Sequence, residues 1–172
     1  YFAIHISNTT RAIIRNNRIN GIPTSEQLTG NGIHLWKSSH AIIENNYIQG
    51  HRDGIYFEFV TESQIKNNLS EKNIRYGLHF MFSNDDNYQN NTFRNNGAGV
   101  AVMYSKRVRM EKNHFEENWG ASAYGILLKD ITDSHIQNNT FFKNTVGIYM
   151  EGSSRIEIQK NFFKNNGWAI KV

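Results

Sequence analysis

The amino-acid sequence predicts an all-β chain wound into a right-handed, single-stranded parallel β-helix of about seven coils. Three observations carry that prediction: a repeat close to 22 residues long, apolar residues alternating with polar ones inside each repeat, and an asparagine returning at the same place in every repeat. The recurring asparagines are Asn17, Asn46, Asn68, Asn91, Asn113, Asn139 and Asn161, at gaps of 29, 22, 23, 22, 26 and 22 residues. The two longer gaps read as loop insertions. One holds Pro23, the only proline, and the other holds Trp119-Gly120-Ala121-Ser122-Ala123.

Each repeat supplies three short strands. The first follows a glycine: after Gly32, Gly54, Gly77, Gly99, Gly125 and Gly147 the next residue and the one two further on are apolar, as in Ile33/Leu35, Ile55/Phe57 and Leu78/Phe80. The second is centred three residues before the asparagine, at Ile14, Ile43, Ile65, Tyr88, Met110, Ile136 and Ile158. The third is centred two residues after it, at Ile19, Ile48, Phe93, Phe115, Phe141 and Phe163, while Leu69 directly follows Asn68 and marks a local irregularity. Too few residues separate the strands for crossover helices, so the chain must coil, each turn stacking about 4.8 Å on the last. Handedness follows from the chirality of parallel crossovers, right-handed in about 98% of cases. Stacked asparagine amides can bond in ladders along the axis, and asparagine tolerates left-handed turns. A second column, Asn73, Asn96, Asn118, Asn144 and Asn166, lies five residues further on.

Composition bounds the chemistry. The 172 residues read as one domain, 1–172, and the start at Tyr1, within a repeat and without a polar cap, is expected of a piece of a longer protein. Absence of cysteine excludes disulfides, thiolate zinc sites, iron–sulfur clusters and thiol nucleophiles. A scattered net charge of +4 gives no basic patch for nucleic acid, and no apolar run approaches the ~18 residues of a membrane span. No phosphate loop, dinucleotide fingerprint, HExxH or GxSxG element is present.

In the strand after each glycine, the residues between the inward ones point outward: His34/Trp36, Tyr56/Glu58, His79/Met81, Ala101/Met103, Leu127/Lys129 and Tyr149/Glu151. A row of imidazole, aromatic and thioether groups on an outer face suggests a binding surface. Its sharpest part is His79, Met81 and Met103, with Met103 one rung above Met81. Two thioethers and an imidazole can converge on one soft ion, and thioethers favour Cu(I) over zinc, magnesium or calcium. His34, Trp36, Tyr56 and Glu58 share this face as further supports or ligands. Asp53 with Glu58, or Asp85 with Asp86, could be an acid–base pair for sugar cleavage, but Asp53 and the Asp85-Asp86 pair fall beside turns, where carboxylates are usually solvated turn formers. His5, His40, His51, His114 and His135 are expected on scattered surfaces.

The segments Arg75-Tyr76-Gly77-Leu78-His79-Phe80-Met81-Phe82-Ser83 and Gly97-Ala98-Gly99-Val100-Ala101-Val102-Met103-Tyr104-Ser105 resemble the NosD-type nitrous oxide reductase maturation proteins. Tyr124-Gly125-Ile126-Leu127-Leu128-Lys129 and Asn144-Thr145-Val146-Gly147-Ile148-Tyr149 extend the likeness. The resemblance implies a periplasmic copper-binding β-helix that is not itself an enzyme, works with an ABC transporter, and passes copper toward the copper–sulfur centre of nitrous oxide reductase. Family members are longer than this chain. The rival reading is a carbohydrate-binding or polysaccharide-modifying β-helix of lyase or epimerase type, with Trp36 and Tyr56 stacked on sugar rings.

Overall fold

The computed structural model describes residues 2–120 and 123–172, and every regular element among them is a strand of three to six residues. Eight strands build the first sheet, in axial order Ile4–Ser7, Ile33–Trp36, Asp53–Glu58, Tyr76–Met81, Ala98–Met103, Tyr124–Lys129, Val146–Glu151 and Trp168–Lys171. Seven strands from Ile13–Arg15 to Ser154–Gln159 form the second sheet, and seven from Arg18–Asn20 to Phe162–Lys164 the third. All pairings are parallel, each strand joining its counterparts one coil away, as Leu78 pairs with Ile55 and Val100. The fold is a right-handed parallel β-helix of close to the expected number of coils.

The alternation of apolar and polar residues becomes alternation of inside and outside. Ile33, Ile55, Leu78, Val100, Ile126 and Ile148 stack in one buried column, and Leu35, Phe57, Phe80, Val102 and Leu128 in the next. Along the third sheet the rings of Phe93, Phe115, Phe141 and Phe163 stack at centroid separations of 5.6, 4.8 and 4.8 Å. Registered pairing stacks like on like, so each inward side chain loses its water-facing area to an identical neighbour. The irregularity at Leu69 resolves differently from the sequence expectation. The register is unbroken and Ser70 fills the inward column between Ile48 and Phe93, buried, with its hydroxyl donating to the Gly77 carbonyl at 2.8 Å. A bonded hydroxyl is tolerated in the core where a free one is not.

The asparagine ladders form as anticipated. Asn91 Oδ1 accepts from the backbone and side-chain nitrogens of Asn68, and Asn91 Nδ2 donates to Ile65 O and Asn113 Oδ1, all at 2.9–3.0 Å. The left-handed turns belong to the preceding residue: Asn16, Asn45, Asn67, Asn90 and Asn138 all have φ of 55–58°. Close packing explains the glycines. A Cβ on Gly77 would lie 2.7 Å from the Gly99 carbonyl oxygen and 2.9 Å from the Phe93 ring. The insertion holding Pro23 carries Glu26 to the outer side of the first sheet, 3.5 Å from Arg75. Ala121 and Ser122 of the other insertion lie outside the described residues.

Candidate functional site

The outward face of the first sheet carries two parallel rows. Register pairs place His5, His34, Tyr56, His79 and Ala101 in one, and Ser7, Trp36, Glu58, Met81, Met103 and Lys129 in the other. Met81 and Met103 are therefore partners on adjacent rungs, both half-buried, with Glu58 below and Lys129 above. His79 shares their face. The sequence expectation that His79 and His34 are open to solvent fails: they are only 5% and 8% exposed. The pleat sets the side of the sheet correctly, but aromatic neighbours close over the imidazoles. Tyr56 stacks between them, its ring centroid 4.9 Å from His34 and 4.6 Å from His79, and Tyr76 tilts against His79 at 4.9 Å.

Tyr56 also reaches the second row, its hydroxyl donating to the Met81 sulfur at 3.5 Å. Burial, reinforced by the Glu58 and Asp53 carboxylates, pushes the Tyr56 phenol up to about 12, so it keeps its proton at neutral pH. Burial, with His5 and Arg52 nearby, lowers His34 to about 4, which leaves that imidazole neutral.

Asp53 departs furthest from its sequence reading. It is a strand residue with no exposed surface, held by Arg75 through Nε–Oδ1 at 2.9 Å and Nη2–Oδ2 at 2.7 Å. Its Oδ2 lies 3.5 Å from His79 Nδ1, an electrostatic contact rather than a formed hydrogen bond. Burial alone would push the Asp53 carboxyl up, but His79 and Arg75 together hold it below the ordinary range. The signal available in the sequence was Arg75, 22 residues after Asp53 and so one coil above it. Asp86 is likewise buried rather than a solvated turn former, and His51 is buried rather than on the surface.

A feature that the sequence reading missed borders the methionines. Phe59, Phe82 and Tyr104 directly follow Glu58, Met81 and Met103, and their exposed rings stack at 5.2 and 5.1 Å. Each sits at positive φ, 54°, 50° and 52°, where a bulky residue costs about 1–2 kcal/mol. The same angle recurs at this turn in other coils, at Asn8, Lys37 and Asp130, so what distinguishes these three is the row of exposed rings, which suits a contact region.

For a metal, the donors matter more than their number. Among the described residues no three His, Asp or Glu side chains converge on a common point, so the face offers no hard or borderline site of that kind. Its soft donors are the two thioethers, and His79 Nε2 is a buried nitrogen with no partner. An imidazole with one nitrogen turned to a carboxylate and the other free is the arrangement that metal-binding histidines use. The donor types present, two thioethers and an imidazole, are ones that suit copper.

The class of protein is thus a parallel β-helix with a soft-donor face. Comparison with protein families is specific: residues 15–172 match the family described as periplasmic copper-binding protein (NosD), and the chain belongs to that family. No curated protein matches it by sequence. Solved structures agree on the fold. The mannuronan C-5 epimerase AlgE4 A-module of Azotobacter vinelandii is similar over 97% of this chain and 57% of its own, with 16% identity and a TM-score of 0.67. The periplasmic alginate epimerase AlgG, in a double mutant, matches over 94% and 44%, with 12% identity and a TM-score of 0.71. PfbA, a surface adhesin of Streptococcus pneumoniae, matches over 99% and 59%, with 16% identity and a TM-score of 0.67. The chain spans little more than half the length of the first of these, and such identities speak for the fold alone.

Proposed function

We propose that this protein carries copper as Cu(I) on the outer face of its first sheet, between Met81 and Met103 with His79 as nitrogen donor. In this reading it is a periplasmic accessory protein, not an enzyme. It works with an ABC transporter and delivers copper toward the copper–sulfur centre of nitrous oxide reductase. The observation that carries the proposal is the pairing of Met81 with Met103 on adjacent rungs, half-open to solvent, in a chain of a copper-binding family. Neutral thioethers hold Cu(I) reversibly, and an open side lets a recipient's ligands enter before the donor's leave. The Tyr56 phenol now occupies the Met81 sulfur. Copper taking that sulfur exchanges the hydrogen bond for a metal bond and frees the ring that covers His79. The exposed Phe59, Phe82 and Tyr104 provide the adjoining docking rim.

Replacing Met81→Ala together with Met103→Ala is expected to weaken Cu(I) binding roughly a hundredfold, about 2.7 kcal/mol, in competition against a Cu(I) chelator. The fold should persist by circular dichroism, since both side chains lie outside the core. Unchanged affinity in a folded double variant would remove the proposal.

One observation favours the carbohydrate reading as second choice. Tyr56, Tyr76, His79 and Arg75 gather in one cluster, bringing proton-transfer groups beside a cation, as an epimerase or lyase acting on uronates requires. It ranks second because Arg75 is already neutralised by Asp53 and His79 is covered. Mannuronate oligosaccharides in the same titration decide between them.

A further inference from the structure

We infer that His5 and His34 form a second copper site, ligated by nitrogen and separate from the methionines, that takes the ion as Cu(II). The proposal goes beyond the Cu(I) reading and stands on the imidazoles alone. The two Nδ1 atoms lie 3.1 Å apart, one ring donating to the other across adjacent coils. The hydrogen bond points the two Nδ1 atoms at each other, and a turn of one ring would redirect both lone pairs to a shared point beside the line that joins them. With metal–nitrogen bonds of about 2.0–2.1 Å, nitrogens at that separation subtend about 95–100° at the metal, between a square-planar cis angle and a tetrahedral one. With the proton of each ring on Nε2, both Nδ1 lone pairs are free.

The surroundings favour occupation. His34 is held rigidly, buried between Tyr56 and the Phe2 ring, so little side-chain freedom remains to be lost. His5 is exposed and stacks on Phe2, ring centroids 5.1 Å apart. Imidazole suits copper, and among first-row divalent ions the affinity of a nitrogen site peaks at Cu(II). Other exposed histidines face carboxylates: His40 with Glu62 at 3.1 Å, His114 with Glu116 at 3.2 Å and His135 with Glu157 at 2.8 Å. None of these brings two imidazoles together.

Titration of the chain with Cu(II), followed by electron paramagnetic resonance, tests the site. The expected result is one tight equivalent with superhyperfine splitting from two nitrogens. His5→Ala, a change at an exposed residue, should weaken that equivalent at least tenfold, while the Met81→Ala, Met103→Ala variant keeps it. His34→Gln serves as the second variant, with folding checked by circular dichroism. If His5→Ala binds Cu(II) as the unaltered chain does, the ion sits adventitiously on carboxylate-paired histidines and the proposal is overturned. Loss of the same equivalent in the methionine variant would merge the two sites and also overturn it. The Cu(I) reading fails separately, in the chelator competition.

Discussion

Asp86 stands in a column that holds Ser63 one coil before and Ser134 two coils after, and the difference is measurable. Ser63 Oγ accepts from the Ala41 nitrogen and Ser134 Oγ from the Val108 nitrogen; Asp86 Oδ1 accepts from the Ser63 nitrogen in the same way. Its second oxygen is buried without a partner, and burial, with Asp85 and Glu62 adding to it, raises the carboxyl well above its usual range. A carboxyl raised in the folded state contributes most below its unfolded value near 3.9, and that contribution is lost as pH climbs toward the folded value. Asp86→Ser keeps the hydrogen bond and removes the orphan oxygen, so at pH 7 it should stabilise by about 1–3 kcal/mol. In thermal melts the gain should shrink below pH 4, and a variant no more stable at pH 7 than the parent would refute this account. The same limit explains what the sequence hid in the copper face. Alternation told which side of the sheet His79, His34 and Asp53 take, but whether a side chain is covered depends on neighbours one coil away, here Tyr56, Tyr76 and Arg75.

The asparagine pairs show one element built from two residue roles. In Asn90-Asn91 the first residue turns the chain at φ 55° and faces solvent, while the second is buried and bonds to the coils on either side. The same division recurs at Asn45-Asn46, Asn67-Asn68, Asn95-Asn96 and Asn138-Asn139. Where the turning residue is lysine or glutamate, as at Lys112-Asn113 and Glu117-Asn118, the buried amide stays. The ladder needs an amide that both donates and accepts, whereas the turn needs only a tolerable φ. Asn91→Ala should therefore cost about 2–4 kcal/mol, from hydrogen bonds lost and partners left unpaired. Asn90→Ala should cost about 1 kcal/mol, the strain of a left-handed alanine. Urea denaturation of the two variants checks the ranking, and equal losses would contradict the division of roles. The ladder was legible in the sequence because its period is, but the two roles within each pair were not, since identical residues differ there only in backbone angle.

For the whole molecule, a solenoid's stability is a sum of each coil's own contribution and its contacts with the coil before and after. This is why the fold could be read from the repeat: every coil restates the same constraints, and a single irregular one such as Leu69-Ser70 leaves the register intact. It also means that protection must be uneven. The strands Tyr76–Met81 and Ala98–Met103, which carry the methionines, have coils stacked on both sides and inward residues with no exposed surface. Ile4–Ser7 and Trp168–Lys171 end the first sheet, and at the latter edge Trp168 and Ile170 are exposed. In residues 1–172 taken by themselves, opening an outermost coil breaks one interface and opening a central coil breaks two, so local opening of that stretch should begin at its edges and move inward. Hydrogen exchange on residues 1–172, followed by mass spectrometry, should then find the slowest amides in the two methionine strands and the fastest in the two outermost ones. Rates that were uniform along the axis would mean that the coils open together, and the nearest-neighbour description would have to be abandoned. A graded profile would mean that the methionine face rests on the least mobile part of the solenoid, where adjacent sulfur ligands keep their spacing while a recipient's ligands compete for the ion.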